Sequence, residues 1–114
     1  MPDKRFIPIA KTDVESVSPG ASTDILASDI EPSYPPSLFR IMVSVDAACL
    51  FSAEIYVAAS ETTYTVYFNS KSDLTADALY MFDMLVHSGD TVNFQIDSAE
   101  TVHLLRVQEI LYGG

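Results

Sequence analysis

Between residues 38 and 46 the chain alternates strictly: Phe39, Ile41, Val43 and Val45 on one parity, Arg40, Met42, Ser44 and Asp46 on the other. A period of two is that of a strand with one face buried. A second run sets Phe51, Ala53, Ile55 and Val57 against Ser52, Glu54 and Tyr56, and the Ala47-Ala48 pair before it is short enough for a hairpin. Residues 63–68 are nearly all β-formers, with Tyr64, Val66 and Phe68 sharing a side, and they run into the turn formers Asn69-Ser70-Lys71-Ser72-Asp73. Residues 74–78 read as one helical turn or a loop.

In residues 79–97, Phe82, Met84 and Val86 alternate with Asp83, Leu85 and His87. His87-Ser88-Gly89-Asp90 then supplies turn chemistry, and Val92, Phe94 and Ile96 alternate with polar neighbours. The pattern predicts a hairpin. A second turn at Asp97-Ser98-Ala99-Glu100 leads to a last strand over residues 101–111, in which the period slips. Val102 and Leu104 share one parity, Leu105 and Val107 the other, so either a bulge lies near Leu104-Leu105 or both faces are covered.

All six prolines fall in the first 37 residues, and proline cannot donate to a central ladder. Short strands fit around residues 6–9 and 23–27, separated by Ser18-Pro19-Gly20, while Glu31-Pro32-Ser33-Tyr34-Pro35-Pro36 reads as an extended connector. The expectation is an N-terminal arm over residues 1–12 and a single β domain over 13–114. Five or six strands joined by closely spaced turns, with no long helical pattern, predict an all-β antiparallel sandwich or jelly roll.

Composition narrows the function. With 114 residues and 12.5 kDa, one core suffices. Apolar residues at 48%, charged residues at 19% and a mean hydropathy of +0.20 exclude a disordered chain. The greasiest stretch, residues 38–57, is interrupted by Arg40, Asp46 and Glu54, which argues against a membrane-spanning helix and a membrane partner. A net charge of −10 argues against nucleic acid, whose binding rests on cations that neutralise phosphates. Lys4, Arg5 and Lys11 against Asp3 leave residues 1–11 at +2, so the remainder carries −12. Cys49 is the only cysteine, and Met1-Pro2-Asp3-Lys4-Arg5 is not followed by a signal-peptide core, so synthesis in a reducing cytoplasm is expected.

Candidate chemistry is sparse. Four glycines make no phosphate-cradling loop and no Gly-x-Ser-x-Gly elbow. Cys49, in the apolar run Ala47-Ala48-Cys49-Leu50-Phe51, reads as an inert buried thiol. His87 and His103 could meet if the final strands pair, with Asp90 or Glu100 as further zinc ligands, but their spacing matches no zinc motif and strand-end histidines are the simpler reading. Asp46, Asp83, Asp90 and Asp97 follow no calcium-loop pattern. A chain without tryptophan offers little sugar-binding platform for glycoside hydrolysis. The expectation is a protein that is not an enzyme and has no catalytic, cofactor or metal residues. Tyr56 and Tyr67, whose parity opposes the core, would lie outside together with Met42, and outward aromatics and methionine suggest an interface.

The run from Phe68-Asn69-Ser70 through Leu79-Tyr80-Met81-Phe82-Asp83, then Ser88-Gly89-Asp90-Thr91-Val92-Asn93-Phe94-Gln95-Ile96 and Leu105-Arg106-Val107-Gln108-Glu109-Ile110, resembles small β-sandwich structural proteins of tailed bacterial and archaeal viruses. These include capsid decoration proteins and tail modules. The resemblance covers residues 38–111 and implies a non-enzymatic virion component, often trimeric, that sits on a lattice and stabilises it. The leading expectation is therefore a homo-oligomer, a trimer by this resemblance, made in the host cytoplasm and located in the virion. It would decorate or cement a shell of major capsid or other virion protein. Its contacts would come from Lys4, Arg5, Phe6 and Lys11 of the arm, Tyr34 of the connector, and Met42, Tyr56 and Tyr67. Two alternatives stay open: a carbohydrate- or receptor-binding module of a tail or fibre, and a subunit of a strand-donating β filament.

Overall fold

The computed structural model describes residues 5–33 and 36–113. Seven strands form: β1 (Arg5–Val17), β2 (Ser37–Val45), β3 (Phe51–Val57), β4 (Thr62–Tyr67), β5 (Tyr80–Val86), β6 (Asp90–Ile96) and β7 (Val102–Gly113). They build a four-stranded sheet in the order β1-β7-β2-β5 and a three-stranded sheet in the order β4-β3-β6, every pairing antiparallel.

The expected strand over residues 23–27 is instead an irregular segment laid against the free side of β6. Ser22 N–H donates to the Ile96 carbonyl at 2.7 Å, Ile25 N–H to Phe94 at 2.8 Å, and Ile30 and Val92 exchange both of their backbone bonds. Between them the Asn93 side chain takes the place of a backbone partner, accepting from Leu26 N–H at 3.0 Å and donating to its carbonyl at 3.1 Å. A side-chain amide in the ladder breaks the regular spacing, so the segment is held as an edge without strand geometry. Counting it as a strand, the pairs nest: first with last, second with next-to-last, and inward to β3 with β4. That nesting is the winding of a jelly roll.

The nesting corrects two expectations. Residues 79–97 are not a hairpin, and neither is the connection at Ala47-Ala48, because β2 and β5 lie in one sheet while β3 and β6 lie in the other. Alternation says which face of a strand is buried, and Phe82, Met84 and Val86 are served equally well by facing Val92, Phe94 and Ile96 across the core. Three residues, His87-Ser88-Gly89, span about the 10 Å between packed sheets. Gly89 turns the corner at φ +87°, a region that side chains disfavour. Among the described residues, β3 and β4 are the only consecutive strands that pair.

Other elements follow the pattern closely. Phe39, Ile41, Val43 and Val45 are all fully buried. In β7 the slip resolves into a bulge at His103: Val45 faces Val102 and Ser44 faces Leu104, so Val102 and then Leu105, Val107 and Glu109 point inward. The core centres on stacked rings, with Phe51 at 5.1 Å from Phe68 and 5.6 Å from Phe94, and Phe68 at 4.9 Å from Phe82. Residues 74–78 form a loop in which Leu74, fully buried, bridges Cys49.

The arm boundary at residue 12 coincides with no break. β1 runs continuously through it and pairs with β7 from Arg5 opposite Gly113 to Val17 opposite Val102, with one bulge at Lys11. The extended N-terminal segment is thus bound in cis, as an edge strand.

Replacing Phe51 by alanine removes a ring in contact with three others and should lower unfolding stability by about 3–5 kcal/mol, a large share of the roughly 5–15 kcal/mol typical of a domain. Chemical denaturation followed by circular dichroism measures it; a loss below about 1 kcal/mol would show that the core does not centre there.

Candidate interaction surfaces

The two sheets present outer faces of opposite character. On the four-stranded sheet the register builds rows across β5, β2 and β7: Leu85, Leu38 and Ile110; Asp83, Arg40 and Gln108; Met81, Met42 and Arg106. Two ion pairs cross this face. Arg40 donates to both Asp83 oxygens at 2.9 and 3.0 Å, and Arg106 donates twice to one Asp13 oxygen at 3.1 and 2.9 Å. Each guanidinium is matched by a neighbouring carboxylate, Glu15 opposite Leu104 adds one further exposed carboxylate at the β1 side, and the rest of the face is largely apolar. Its most exposed side chains lie at the β5 edge: Leu85 at 66%, Leu79 at 63% and Met81 at 55%.

The three-stranded sheet is polar and acidic outside. Ser52 lies between Tyr67 and Gln95, Glu54 between Thr65 and Asn93, and Tyr56 between Thr63 and Thr91. A groove of about 510 Å³ runs along this face past Asp24, Asp29, Glu54, Tyr56, Thr91 and Gln95. Its polar groups are ordered by one another: Gln95 donates to Asp24 at 2.9 Å, Asn93 to Asp29 at 2.8 Å and Thr65 to Glu54 at 2.7 Å. Tyr56 stands half-exposed along it, Tyr67 lines a second hollow on the same face beside Ser52 and Asp97, and the Lys71 ammonium lies 4.8 Å from the Tyr67 ring centre. Carboxylates, amides, hydroxyls and aromatic faces in one groove suit a polyhydroxylated ligand.

The expected interface residues therefore divide. Tyr56 and Tyr67 share one face; Met42 lies on the opposite one, because β2 and β3 belong to different sheets. Lys11 is not an outreaching arm cation: its ammonium donates to Ser33 Oγ at 3.0 Å and lies 3.8 Å from the Glu109 carboxylate. Arg5 and Phe6 are placed through their backbone, opposite Gly113 and Tyr112. Lys4 and Tyr34 lie outside the described residues.

The histidines lie at opposite ends of the four-stranded sheet, His87 beyond Val86 opposite Ser37 and His103 beside Ser44 and Val45. His87 occupies the β5–β6 corner, while His103 on β7 pairs with Asp77 at 2.7 Å. Among the described residues no group of three or more metal-binding side chains gathers.

Two features were missed from sequence. Glu109 is fully buried, accepting hydrogen bonds that include those of Ser33 N–H at 2.8 Å and the Ser37 hydroxyl at 2.5 Å. Its inward parity follows only once the bulge is fixed at His103. The second is the exposed set Leu79, Met81 and Leu85, whose signal was the apolar character of β5 on both parities, broken by Asp83 alone.

Comparison with protein-family models, with curated proteins and with solved structures yields no match.

Two outcomes are expected. The hydrogen-bonded guanidinium of Arg40 holds the Asp83 carboxyl below its ordinary range. A depressed folded-state value stabilises above the unfolded value of about 3.9 and is lost as pH falls through the folded one. The stability gap between wild type and Asp83→Asn should hold from pH 7 to about 5 and close below about 4; a gap that persists at pH 2 would refute the assignment. For Cys49, burial, reinforced by the carboxylates of Asp97, Glu100, Asp73 and Asp46, pushes the thiol up to about 11. Iodoacetamide at pH 8 should label the native thiol about a hundredfold more slowly than the denatured one, and equal rates would show the thiol to be open.

Proposed function

We propose that this chain is a non-enzymatic structural protein of a virus particle, a β brick that decorates or cements the shell by symmetric assembly. The observation that carries the reading is the exposed apolar set on the outer face of the four-stranded sheet, on a body that is otherwise strongly acidic. Exposed leucine and methionine beside internally matched ion pairs are the composition of a protein-docking surface, with the Glu15 carboxylate at its β1 side left in water. The jelly-roll winding supplies a rigid frame for that face. The partners proposed are further copies of the chain, a trimer in the leading version, and the major capsid protein or another virion protein. Its location is the virion after synthesis in the host cytoplasm.

Binding to particles tests the reading. Purified protein added to particles stripped of it should saturate at lattice stoichiometry and raise the temperature at which they fall apart. Met42→Glu, which places a charge in the middle of the apolar face, should weaken occupancy about tenfold or more while leaving the fold intact by circular dichroism. Equal occupancy by the variant, or none by the wild type, would remove this face from the mechanism. Deleting residues 1–12 is a poor test, because it strips most of β1 from β7.

A second reading is favoured by the groove on the other sheet: binding of a neutral carbohydrate, with Tyr56 as the stacking ring and Asp24, Glu54 and Gln95 as partners for sugar hydroxyls. A glycan array probed with wild type and Tyr56→Ala separates the two, since the structural reading requires no glycan signal.

A further inference from the structure

The three described sheet edges that strands form are not equally protected. β1 carries Pro8 and a bulge at Lys11, and β4 is six residues long with Thr62, Thr63 and Thr65 along it. These are common devices against unwanted edge pairing. β5 is the least protected: Tyr-Met-Phe-Asp-Met-Leu-Val over Tyr80–Val86 has no proline, lysine or bulge, and its one charge, Asp83, is tied to Arg40. Among the described residues no backbone hydrogen bond reaches its free side. The exposed apolar side chains gather here too. Tyr64 and Val66 share the inward side of their sheet with Ile55 and Ala53, yet they are 51% and 43% exposed, because β4 and β5 flank an open side of the sandwich. Leu79, Met81 and Leu85 lie exposed along β5 itself as an apolar strip.

We propose that this strip is covered by a second copy of the chain, β5 pairing antiparallel with β5 of the copy about a twofold axis at Asp83, so that two four-stranded sheets become one of eight. The strand is self-complementary about that residue. Met81 falls opposite Leu85 of the copy, Phe82 opposite Met84, and Tyr80 opposite Val86, so apolar residues meet apolar residues on both faces. The one charge on the strand meets its own copy at the axis, where each Asp83 is already held by two hydrogen bonds from Arg40. The register is the same whichever alternate set of N–H groups points outward, since either set is symmetric about Asp83. An isologous contact of this kind closes at two copies and uses up the β5 edge of both. The proposal does not depend on the virion reading; it concerns the free protein in solution.

Light scattering on the purified chain, from micromolar to millimolar, is the test. The expected mass is twice 12.5 kDa at the upper end. Met81→Lys removes both Met81–Leu85 cross-pairs and should raise the dissociation constant about tenfold or more. Met81→Lys combined with Leu85→Glu places lysine opposite glutamate in this register alone and should restore the dimer at low salt but not at 1 M. A monomer at every concentration, a trimer indifferent to Met81→Lys, or a double variant no better than the single one would each overturn the proposal. Particle binding is read separately, so failure here is distinct from failure of the structural role.

Discussion

Carrying a chain from one sheet to the other strips backbone groups of their ladder partners, and a buried N–H without an acceptor costs about as much as a whole hydrogen bond contributes. The fold depends on how its corners meet that demand. Two carboxylates do so where β2 passes to β3 and β6 passes to β7. Asp97 accepts from Leu50 N–H at 2.8 Å and Asp46 accepts from Thr101 N–H at 2.8 Å. The reverse backbone bonds, Asp46 N–H to Thr101 and Asp97 N–H to Leu50, close both corners into pairs. Each aspartate thus ties one crossing to the other, and the sheets are fixed to each other through chain ends that no hairpin joins. Asn93 does the same along the irregular edge beside β6. Much of the acidic surplus therefore has structural work, which a charge count alone does not reveal.

Once the frame is fixed, the charges sort by face. Three of the cations lie along the four-stranded sheet, each beside a carboxylate: Arg40 with Asp83, Arg106 with Asp13 and Lys11 with Glu109. The two exposed pairs, Arg40–Asp83 and Arg106–Asp13, add little to stability, while Lys11 meets a carboxylate that is itself buried. The exposed pairs cancel charge where the surface is apolar, leaving the carboxylates of Asp24, Asp29 and Glu54 on the other face. A brick with one greasier side and one acidic, hydrated side has a preferred orientation against any neighbour: the first desolvates more cheaply than the second.

The inward rows were legible because alternation is a direct image of the pleat: Phe39 to Val45, Phe51 and Ala53, Phe94 and Ile96 all point where their parity requires. So was the all-β class, and so was the irregularity in β7. Partner choice was not. A strand's pattern names its buried face but not the strand beside it, and a Gly-Asp turn closes a hairpin or a sandwich corner with the same residues. From that single ambiguity came the misplaced hairpins, the supposed meeting of His87 with His103, and the grouping of Met42 with Tyr56 and Tyr67. The N-terminal segment is extended, as read from its prolines, but its pairing was not legible: proline forbids a central strand and not an edge, and Pro8 sits on the edge strand β1.

The open side of the sandwich follows from the same topology. Nested winding places the first and last strands together, and in this chain that side is sealed: β1 lies on β7, and Glu109 draws Ser33, Ser37 and Lys11 into one knot. Ser33 therefore lies at the closed side, whereas the middle of the winding, β4 and β5, ends in two edges joined by a loop that passes over the corner at Cys49 and not over the edges themselves. Among the described residues no further strand closes that side, since the segment before β2 is already committed to β6, and Tyr64, Val66, Met81 and Leu85 stay exposed there. A sandwich sealed along one side and open along the other therefore differs in chemistry between its two sides, and the difference is set by the winding alone.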